Sequence, residues 1–542
     1  MKAISNKLID YSHYIFFTLF AIIALFIFKD YGFNIDETFT RKSGLYWLNQ
    51  ISAFFNLDQF YEISLQRMSS SDDFTVPWSD AYGIIFDLPA AIIEIVLLID
   101  EPLKIYQMRH LLTFLYFFIG LIFFYKILFN RYENKVLSLL GCLLLVLTPR
   151  IFGEIFHNNK DIVFLSIFII TLYFYFKLID NEENFKNLAL FSLFSAIATS
   201  TRIFGIIIPI TFIFIYFLTI ISQKKDFKKI KYIIFYLLFY FIFLYIHWPY
   251  LWDKPITNFL NYIFNLNIFG PELVYFFGEF YNTKLVPYYY LPVWLIISTP
   301  VLNLVLFILG FYSTSKIYFL KLLQVGKVKV KYDFWKNSNE KKDFLILVMF
   351  IIFFLAAVFL SPKQYNGWRI FYFFNFFIIY YSVFFLFKMK NYKKYFVSIF
   401  VIIFFFISIN IYKLFLYHPY QSYYFNELVS KKFKNKFEVD YAGLSGISFL
   451  RHVIKEDKSS NIKIAVNSWY PLWRMKELLP SEDQKRIEFV FQDKNKASYI
   501  YSNKIFDVDV RKSKKYNLNP SYKIYKRYIV NDLIIYEVYK KE

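Results

Sequence analysis

The sequence predicts a polytopic α-helical membrane protein of about eleven transmembrane helices, followed by a small extracytoplasmic α/β domain at the C-terminus. Of the 542 residues, 57% are hydrophobic and only 19% are charged, and the mean hydropathy is +0.39. A soluble protein of this length carries more charge and fewer apolar runs long enough to cross a bilayer. Composition therefore places the chain in the membrane.

Eleven apolar runs reach or approach the length that a bilayer requires. They are 11–28, 106–125, 136–148, 162–176, 187–201, 203–222, 232–248, 291–312, 344–360, 370–387 and 395–415. Those at 136–148 and 187–201 are short. A further run, 84–99, contains Asp87 and Glu94, which lie seven residues apart and so share one helical face. This pattern predicts an amphipathic helix on the membrane surface.

The placement of charge supports this count and fixes the orientation. With the N-terminus in the cytoplasm, the inner segments hold 24 Lys or Arg in 79 residues, whereas the outer segments hold 12 in 145. An excess of Lys and Arg on the cytoplasmic side is the general rule for membrane proteins. Much of the formal charge of +21 is therefore a topology signal that faces anionic lipid, and we expect no nucleic-acid partner.

The chain divides into two predicted domains, 1–415 and 416–542. The first contains the spans and a long acidic outer loop, 29–104. The second contains NIKIAVNSWY, RIEFVFQD and YIVNDLIIYEVY, which predict strands, and GISFLRHVIK, which predicts a helix. The single cysteine, Cys142, lies in an apolar run, so no intrachain disulfide can form. The sequence contains no Gly-rich phosphate loop of the Walker or Rossmann type.

Unusual polar residues gather at the outer ends of the predicted spans. NIDETF follows the first span, and later outer segments read PRIFGEIFHNNKD, STR, HWPYLWDKP and SPKQYNGWR. The spans themselves carry little charge, whereas a secondary transporter buries ionisable groups near the midplane. This placement favours an enzyme site at the outer membrane surface. A transporter or flippase for lipid-linked glycans is the alternative, and a non-catalytic assembly factor is a third hypothesis.

An enzyme on that face has no nucleotide-sugar pool, so we expect it to draw its activated group from a lipid-linked phosphate sugar. The phosphate leaving group needs only cations to stabilise its charge. The acceptor hydroxyl needs a base, worth about 10²–10⁴ in rate. Asp36 is the predicted base, with a basicity raised by lost solvation, and Glu37 is expected to orient it or to bind the acceptor. Both acids also suit the first turn of a surface helix.

Four side chains are candidates for binding the phosphate or the substrate, namely Arg369, Lys160, Arg202 and His247. The planar fork of Arg369 suits phosphate recognition. Lys160 and Arg202 also suit ordinary contacts with lipid phosphate at the interface. His247 lies near Trp248 and Trp252, and this pattern is typical of an interfacial aromatic belt.

These segments resemble those of the bacterial GT-C glycosyltransferases. NIDETF, PRIFGEIFHNNKD and NGWR, with HPYQSYYFNEL and FEVDYAG after the last span, carry the resemblance, which runs from about residue 10 to residue 445. The most similar subgroup contains the protein O-mannosyltransferases and the aminoarabinose transferases (ArnT-like proteins). The resemblance implies a GT-C-like transmembrane catalytic module. It also implies that Asp36, within the motif shared with Glu37, is the catalytic base, and that Asp161 is the acidic residue of the second outer loop.

The resemblance further implies the substrates and the location. Members of the family take sugars from polyprenyl or dolichyl phosphate and invert the anomeric centre. We therefore expect a polyprenyl-phosphate sugar donor and a hydroxyl acceptor on a glycan, lipid or protein. No cofactor is assigned with certainty. Some relatives bind a divalent metal ion near the acids, but this sequence shows no compact cluster of ligands, so metal binding is left as an open alternative. The expected location is the bacterial inner (plasma) membrane, with a cytoplasmic N-terminus and an extracytoplasmic C-terminal domain.

Overall fold

The computed structural model describes residues 2–69, 81–222, 229–264, 273–324, 334–360, 363–390 and 393–542. The α-helices of these parts are α1 (Lys2–Ile27), α2 (Asp36–Phe54), α3 (Asp58–Ser69), α4 (Asp87–Val96), α5 (Pro102–Tyr132), α6 (Lys135–Val146), α7 (Pro149–Glu154), α8 (Asp161–Asp180), α9 (Phe185–Thr201), α10 (Ile207–Ser222), α11 (Ile230–His247), α12 (Pro255–Phe264), α13 (Tyr290–Ser298), α14 (Val301–Gln324), α15 (Ser338–Phe359), α16 (Phe374–Met389), α17 (Lys393–Tyr417), α18 (Lys431–Lys434), α19 (Ser445–Glu456) and α20 (Ser481–Arg486). The strands are β1 (Leu273–Phe276), β2 (Glu279–Asn282), β3 (Ile462–Val466), β4 (Ile487–Phe489), β5 (Tyr499–Ser502), β6 (Tyr522–Val530) and β7 (Leu533–Lys541).

Eight helical segments in the described parts of the chain are long and apolar enough to cross a membrane. They lie in α1, α5, α8, α10, α11, α14, α15 and α17, at positions where spans are predicted. The predicted spans 136–148, 187–201 and 370–387 correspond to the shorter helices α6, α9 and α16. A polytopic α-helical membrane protein is thus confirmed, whereas the count of eleven spans stays a prediction.

The predicted span 291–312 is divided into two helices. α13 ends at Ser298 and α14 begins at Val301, because Pro300 has no N–H to donate and keeps Thr299 extended. Asn426, from the chain after the last span, fills this break. Its side-chain amide donates to the carbonyls of Ile296 at 2.6 Å and Thr299 at 2.8 Å, which replaces the helical partners that the break removes.

The acidic face of α4 is buried. Glu94 pairs with Arg41 of α2 at 2.8 Å and with Arg67 of α3 at 2.7 Å, and Asp87 pairs with Arg109 of α5 at 3.3 Å. The two acids share a face, as their spacing predicts, but this face packs onto neighbouring helices and does not face water as that of a surface helix would. The spacing within α4 could not show this, because the arginines that pair with the acids lie on other elements.

A five-stranded sheet with the strand order β4-β3-β5-β7-β6 forms the centre of the C-terminal domain. β3 runs parallel to β4 and β5, whereas β7 runs antiparallel to β5 and β6. The β6–β7 hairpin turns at Asn531 and Asp532, which both have positive φ angles, as two-residue hairpin turns require. α19 packs on the sheet through Phe449, whose ring lies 4.8 Å from that of Tyr501. The predicted small α/β domain is confirmed, and its boundary at residue 416 stays a prediction.

The segment 418–444 joins the last span to this domain and packs against the predicted outer loops. The backbone N–H of Ile35 donates to the carbonyl of Ala442 at 3.0 Å. Gly153 lies so close to this segment that an added Cβ would be 2.4 Å from the backbone nitrogen of Ser422. These contacts bring the first loop, the second outer segment and the C-terminal domain around one space.

Candidate active site

A cavity of about 820 Å³ lies between the loop that follows the first span and the C-terminal domain. This volume is in the range of small-molecule binding sites. Four of the predicted site residues line the cavity, namely Asp36, Lys160, Arg202 and Arg369. The other three predicted site residues, Glu37, Asp161 and His247, are not among the residues that line it.

The backbone that carries Asp36 is fixed by its two polar neighbours. The side-chain oxygen of Asn34 accepts the backbone N–H of Asp36 at 3.0 Å, and the Glu37 carboxylate accepts the backbone N–H of Asn34 at 3.0 Å. The two hydrogen bonds satisfy backbone N–H groups at the start of α2, in the manner of a capping box. The capping role considered for both acids therefore belongs to Glu37, and the Asp36 carboxylate lines the cavity.

Asp36 forms an ion pair with Arg369, whose Nη1 lies 2.6 Å from Asp36 Oδ2. Arg369 begins a short 3-10 helical turn just before α16. Burial acts to raise the pKa of Asp36, but Arg369, together with Lys160 and Arg202, outweighs it and lowers this pKa below its ordinary value. The prediction that lost solvation raises the basicity of Asp36 is therefore wrong for this arrangement, because the surrounding cations dominate.

Asp161 lies directly behind these cations. Its carboxylate pairs with Arg202 at 2.5 Å, and the Nε of Arg369 lies 3.9 Å from its other oxygen. Asn158 holds Asp161 in place, since its amide donates to Asp161 Oδ2 at 3.0 Å and its oxygen accepts the Asp161 backbone N–H at 2.9 Å. Asp161 is buried and is thus placed to hold two guanidinium groups. Asp36, Asp161 and Arg369 converge at one place, as the enzyme hypothesis requires.

Lys160 precedes α8 and extends into the cavity beside Tyr82. The Nζ of Lys160 lies 3.6 Å from the centroid of the Tyr82 ring. Burial lowers the pKa of the Lys160 ammonium to about 8, although Asp87 favours its charged form. The cavity therefore contains a cation whose charge changes near neutral pH.

Glu37 faces away from the cavity. Its carboxylate is fully buried, and His110 of α5 contacts it with Nε2 3.2 Å from Glu37 Oε2. The side-chain nitrogen of Asn34 lies 3.4 Å from Nδ1 of His157 in the same buried region. Glu37 thus supports the turn that carries Asp36, which favours the orienting role over binding of the acceptor.

His247 ends α11 at a distance from the cavity lining. Its Nε2 lies 2.8 Å from the hydroxyl of Ser200, at the end of α9. The neighbouring Trp248 is buried and donates its indole N–H to the carbonyl of Ala81 at 2.9 Å. The structure therefore gives His247 and Trp248 a packing role between helix ends, in place of either a substrate contact or an aromatic belt that faces lipid.

Several wall residues are absent from the sequence-based candidates. Tyr82, Tyr365 and Glu438 line the cavity beside the predicted side chains. Burial raises the pKa of Glu438 to about 7, and its carboxylate accepts the backbone N–H of Gly367 at 2.6 Å. Gly367 has a φ of +66°, which glycine adopts without strain, so Glu438 holds the turn that presents Arg369. Tyr365 lies in QYNGWR and Glu438 lies in FEVDYAG. Two segments that the sequence analysis singled out therefore contain residues of the cavity wall.

The cluster can bind an anion. Lys160, Arg202 and Arg369 provide three cations against the two carboxylates of Asp36 and Asp161. Among the described residues, the buried Nε–H groups of Arg202 and Arg369 have no hydrogen-bond partner, although Arg369 Nε also lies 3.9 Å from Asp161 Oδ2. Buried guanidinium donors without partners are suited to a charged acceptor such as phosphate. A phosphate placed here would lie beside a carboxylate that can take a proton.

The carboxylates of this region do not fit a metal ion. Within the described parts of the chain, no group of three or more His, Cys, Asp or Glu side chains is arranged to hold one. Asp36 and Asp161 are each paired with arginine, and Glu154 accepts from Asn158 at 2.9 Å and from Tyr441 at 3.0 Å. Divalent cations require several oxygen ligands converging on one point.

Comparison with known proteins gives a family match over part of the chain. Residues 88–252 match the model of the dolichyl-phosphate-mannose-protein mannosyltransferase family. No curated protein matches the sequence. Two crystal structures of ArnT from Cupriavidus metallidurans align with 98% of this chain and 98% of their own. The structure bound to undecaprenyl phosphate has 9% sequence identity and a TM-score of 0.47, and the apo structure has 10% and 0.48.

The family match extends from α4 to just beyond α11, and it includes Lys160, Asp161 and Arg202. Over these residues, which include the segment PRIFGEIFHNNKD, it confirms the predicted resemblance to the protein mannosyltransferases. The matched family is a family of glycosyltransferases, which supports glycosyl transfer as the class of activity.

Proposed function

We propose that this chain is an integral-membrane inverting glycosyltransferase of the bacterial plasma membrane. It moves a sugar from a polyprenyl-phosphate-linked donor to an acceptor hydroxyl on the extracytoplasmic face. The observation that carries this proposal is the convergence of Asp36 with Arg369, Lys160 and Arg202 in one cavity. One carboxylate among three cations suits a reaction in which an anion departs while a proton is accepted.

The position of the cations favours a donor carried by a lipid. Lys160 immediately precedes the candidate span Asp161–Asp180, and Arg202 immediately precedes the candidate span Ile203–Ile220. Both cations thus lie at the end of a membrane span, where a lipid headgroup can reach them without leaving the bilayer surface. With the predicted orientation, this surface faces away from the cytoplasmic supply of nucleotide sugars.

The reaction is a single displacement. The acceptor oxygen attacks the anomeric carbon from the side opposite the phosphate, and its proton passes to Asp36 as the new carbon–oxygen bond forms. The bond between the anomeric carbon and the phosphate oxygen breaks, and its electron pair leaves with the polyprenyl phosphate. Arg369, Arg202 and Lys160 stabilise the charge that develops on this leaving group. Attack from the opposite side inverts the anomeric configuration.

Arg369 links donor binding to the basicity of Asp36. In the structure it holds Asp36 at 2.6 Å and keeps the pKa of that carboxylate low, which makes Asp36 a weak base. A donor phosphate competes for the same guanidinium and weakens this ion pair. The pKa of Asp36 then rises, because burial is no longer offset by its strongest partner. Donor binding would thereby activate the base.

Glycoconjugate profiling of a deletion strain tests the proposal. The strain is restored with the wild-type chain, with Asp36→Asn, or with Asp58→Asn, a control at an exposed acid of the first loop. We expect one sugar to be missing from the same glycoconjugate in the deletion and Asp36→Asn strains and to return in the other two. Full return of the sugar with Asp36→Asn would remove Asp36 from the role of base. A deletion that changes no glycoconjugate would contradict glycosyl transfer itself.

A further inference from the structure

The C-terminal domain contributes three exposed aromatic side chains to the cavity. Trp469 and Trp473 follow β3, and Phe491 follows β4; together they are called the aromatic wall here. Trp473 and Phe491 are in edge contact, with ring centroids 5.5 Å apart and planes inclined at 79°. Their exposed fractions are 46% for Trp469, 43% for Trp473 and 66% for Phe491. Such a patch on the wall of a cavity indicates a binding surface.

The aromatic wall suits the apolar face of a sugar ring. The face of an aromatic ring is negative, and the C–H groups on one face of a pyranose are weakly positive, so the two stack favourably. Trp and Phe also supply a large rigid surface that loses little conformational freedom on binding. A hydrocarbon chain would equally suit aromatic rings, but the basic groups that adjoin this wall would be of no use to it.

Basic side chains line the same cavity as the aromatic wall. Lys494 and Lys515 line the cavity, and their ammonium groups lie 5.5 Å and 5.4 Å from the ring centroid of Tyr516. Lys515 also pairs with Asp507, and Arg474 adds a third cation to the lining. Three cations against one carboxylate leave this part of the cavity positively charged. Its occupant is therefore expected to carry an acidic group.

Arg474, in the same part of the cavity, contacts the helix that carries the predicted base. Arg474 Nη1 donates to the hydroxyl of Thr38 at 3.2 Å, and the guanidinium carbon of Arg474 lies 5.4 Å from the ring centroid of Phe39. Thr38 and Phe39 belong to the first turn of α2, which carries Asp36. A molecule held on the aromatic wall can thus present a hydroxyl to Asp36, while Lys160, Arg202 and Arg369 remain available for the donor on the other side.

We propose that the acceptor is an acidic saccharide, bound by stacking on Trp469, Trp473 and Phe491 and by its carboxylate or phosphate group near Lys494 and Lys515. This inference rests on the proposed glycosyl transfer and names its acceptor class. The C-terminal domain is then the acceptor-binding part of the enzyme, and the outer ends of the spans form the donor-binding part.

Isolation of the acceptor tests the chemical class directly. The glycoconjugate that lacks its sugar in the Asp36→Asn strain is purified, and its acceptor unit is identified by mass spectrometry and by its charge on anion exchange. Partition between butanol and water distinguishes a lipid-anchored saccharide from a free polymer. Either one, if acidic, agrees with the proposed acceptor class. A protein hydroxyl, a neutral saccharide or a lipid without sugar as acceptor would overturn this inference and leave the proposed transfer intact. If no glycoconjugate changes, it is the proposed function that fails.

Kinetics of the purified full-length protein with that isolated acceptor locate the site. Trp473→Ala should raise KM for the acceptor about two- to tenfold and leave KM for the donor unchanged, whereas Trp252→Ala, at an exposed tryptophan outside the cavity, should change neither. Lys494→Gln should raise KM for the acceptor, Lys494→Arg should restore it, and Lys496→Gln is the matched control. A Trp473→Ala variant that loses affinity for the donor, or that leaves both constants unchanged, would overturn the assignment.

Discussion

The substitution Asp36→Asn tests two roles of the Asp36 carboxylate separately, acceptance of a proton and the ion pair with Arg369. Asp36 is the proposed proton acceptor, and it also holds Arg369 through an ion pair of 2.6 Å. Asparagine preserves the size of the side chain and one acceptor oxygen, but it cannot take a proton. Because a positioned general base contributes about 10²–10⁴ in rate, kcat should fall by that factor.

Binding of the donor phosphate should change in the opposite direction. Asp36 lies inside the cavity, but 36% of its side-chain surface is open to that space, so its pair with Arg369 is worth about 1 kcal/mol at most after screening by solvent. Removal of the carboxylate frees the guanidinium for a phosphate and removes a negative charge from the site. We therefore expect Kd for undecaprenyl phosphate to fall by up to about fivefold in Asp36→Asn.

Two assays on the purified full-length protein check these expectations. Tryptophan fluorescence titration with undecaprenyl phosphate gives Kd, and single-turnover transfer from a polyprenyl-phosphate sugar to the isolated acceptor gives the chemical rate. Asp58→Asn, which removes an exposed acid of the same loop, is the control and should match the wild type in both assays. Turnover of Asp36→Asn within about tenfold of the wild type, or a Kd that rises severalfold, would refute the reasoning.

Three further predictions concern the cations and the residues outside the cavity. Arg369→Gln should raise Kd for undecaprenyl phosphate by about tenfold to a hundredfold, because a hydrogen bond between charged groups contributes about 1.5–3 kcal/mol; an unchanged Kd in the same titration would exclude Arg369 from the phosphate site. Affinity for undecaprenyl phosphate should weaken as the pH rises through about 8, since Lys160 is charged below its pKa and neutral above it. Titrations with undecaprenyl phosphate below and above that pH should show this change of Kd in the wild type and not in Lys160→Arg. His247→Ala should leave Kd and turnover unchanged, because His247 contacts Ser200 and does not line the cavity; a severalfold loss of turnover at unchanged protein level would contradict its packing role.

The sequence predicts where the site lies because membrane spans impose a common plane. Asp36, Lys160, Arg202 and Arg369 are far apart in the chain, yet each lies near the outer end of a predicted span. Span ends on one side of the membrane share a surface, so sequence position alone places these residues at the same surface, and the packing of the helices brings them together. The break at Thr299 could also be predicted from the sequence, since Pro300 lies inside the apolar run.

Sequence position could not show how each side chain is oriented. Asp36 and Glu37 are adjacent, but successive residues of a helix point in directions about 100° apart. One therefore faces the cavity while the other faces His110 of α5. The pKa of Asp36 depends on the same tertiary contacts: burial alone predicts a raised value, and only the position of Arg369 reveals that the value is lowered.

The part of the cavity lining that comes from the C-terminal domain could not be predicted from the sequence, for a different reason. Trp469 and Trp473 follow β3, Phe491 follows β4, and Lys515 lies in the connection between β5 and β6. These segments meet only because β3 pairs in parallel with both β4 and β5 in the sheet. No local pattern in any one segment indicates that pairing, and the aromatic residues are common throughout this chain, with 72 Phe and 48 Tyr.

The claim that Asp36 acts on the extracytoplasmic face is tested most directly by labelling a single introduced thiol. Cys142 is the one cysteine of the sequence and is buried, so Gln50→Cys, at an exposed position of α2, provides one reactive thiol on the helix that carries Asp36. In spheroplasts with intact membranes, we predict that a membrane-impermeant maleimide labels this cysteine fully. Labelling that appears only after the membrane is disrupted would place α2 in the cytoplasm and contradict the proposed site.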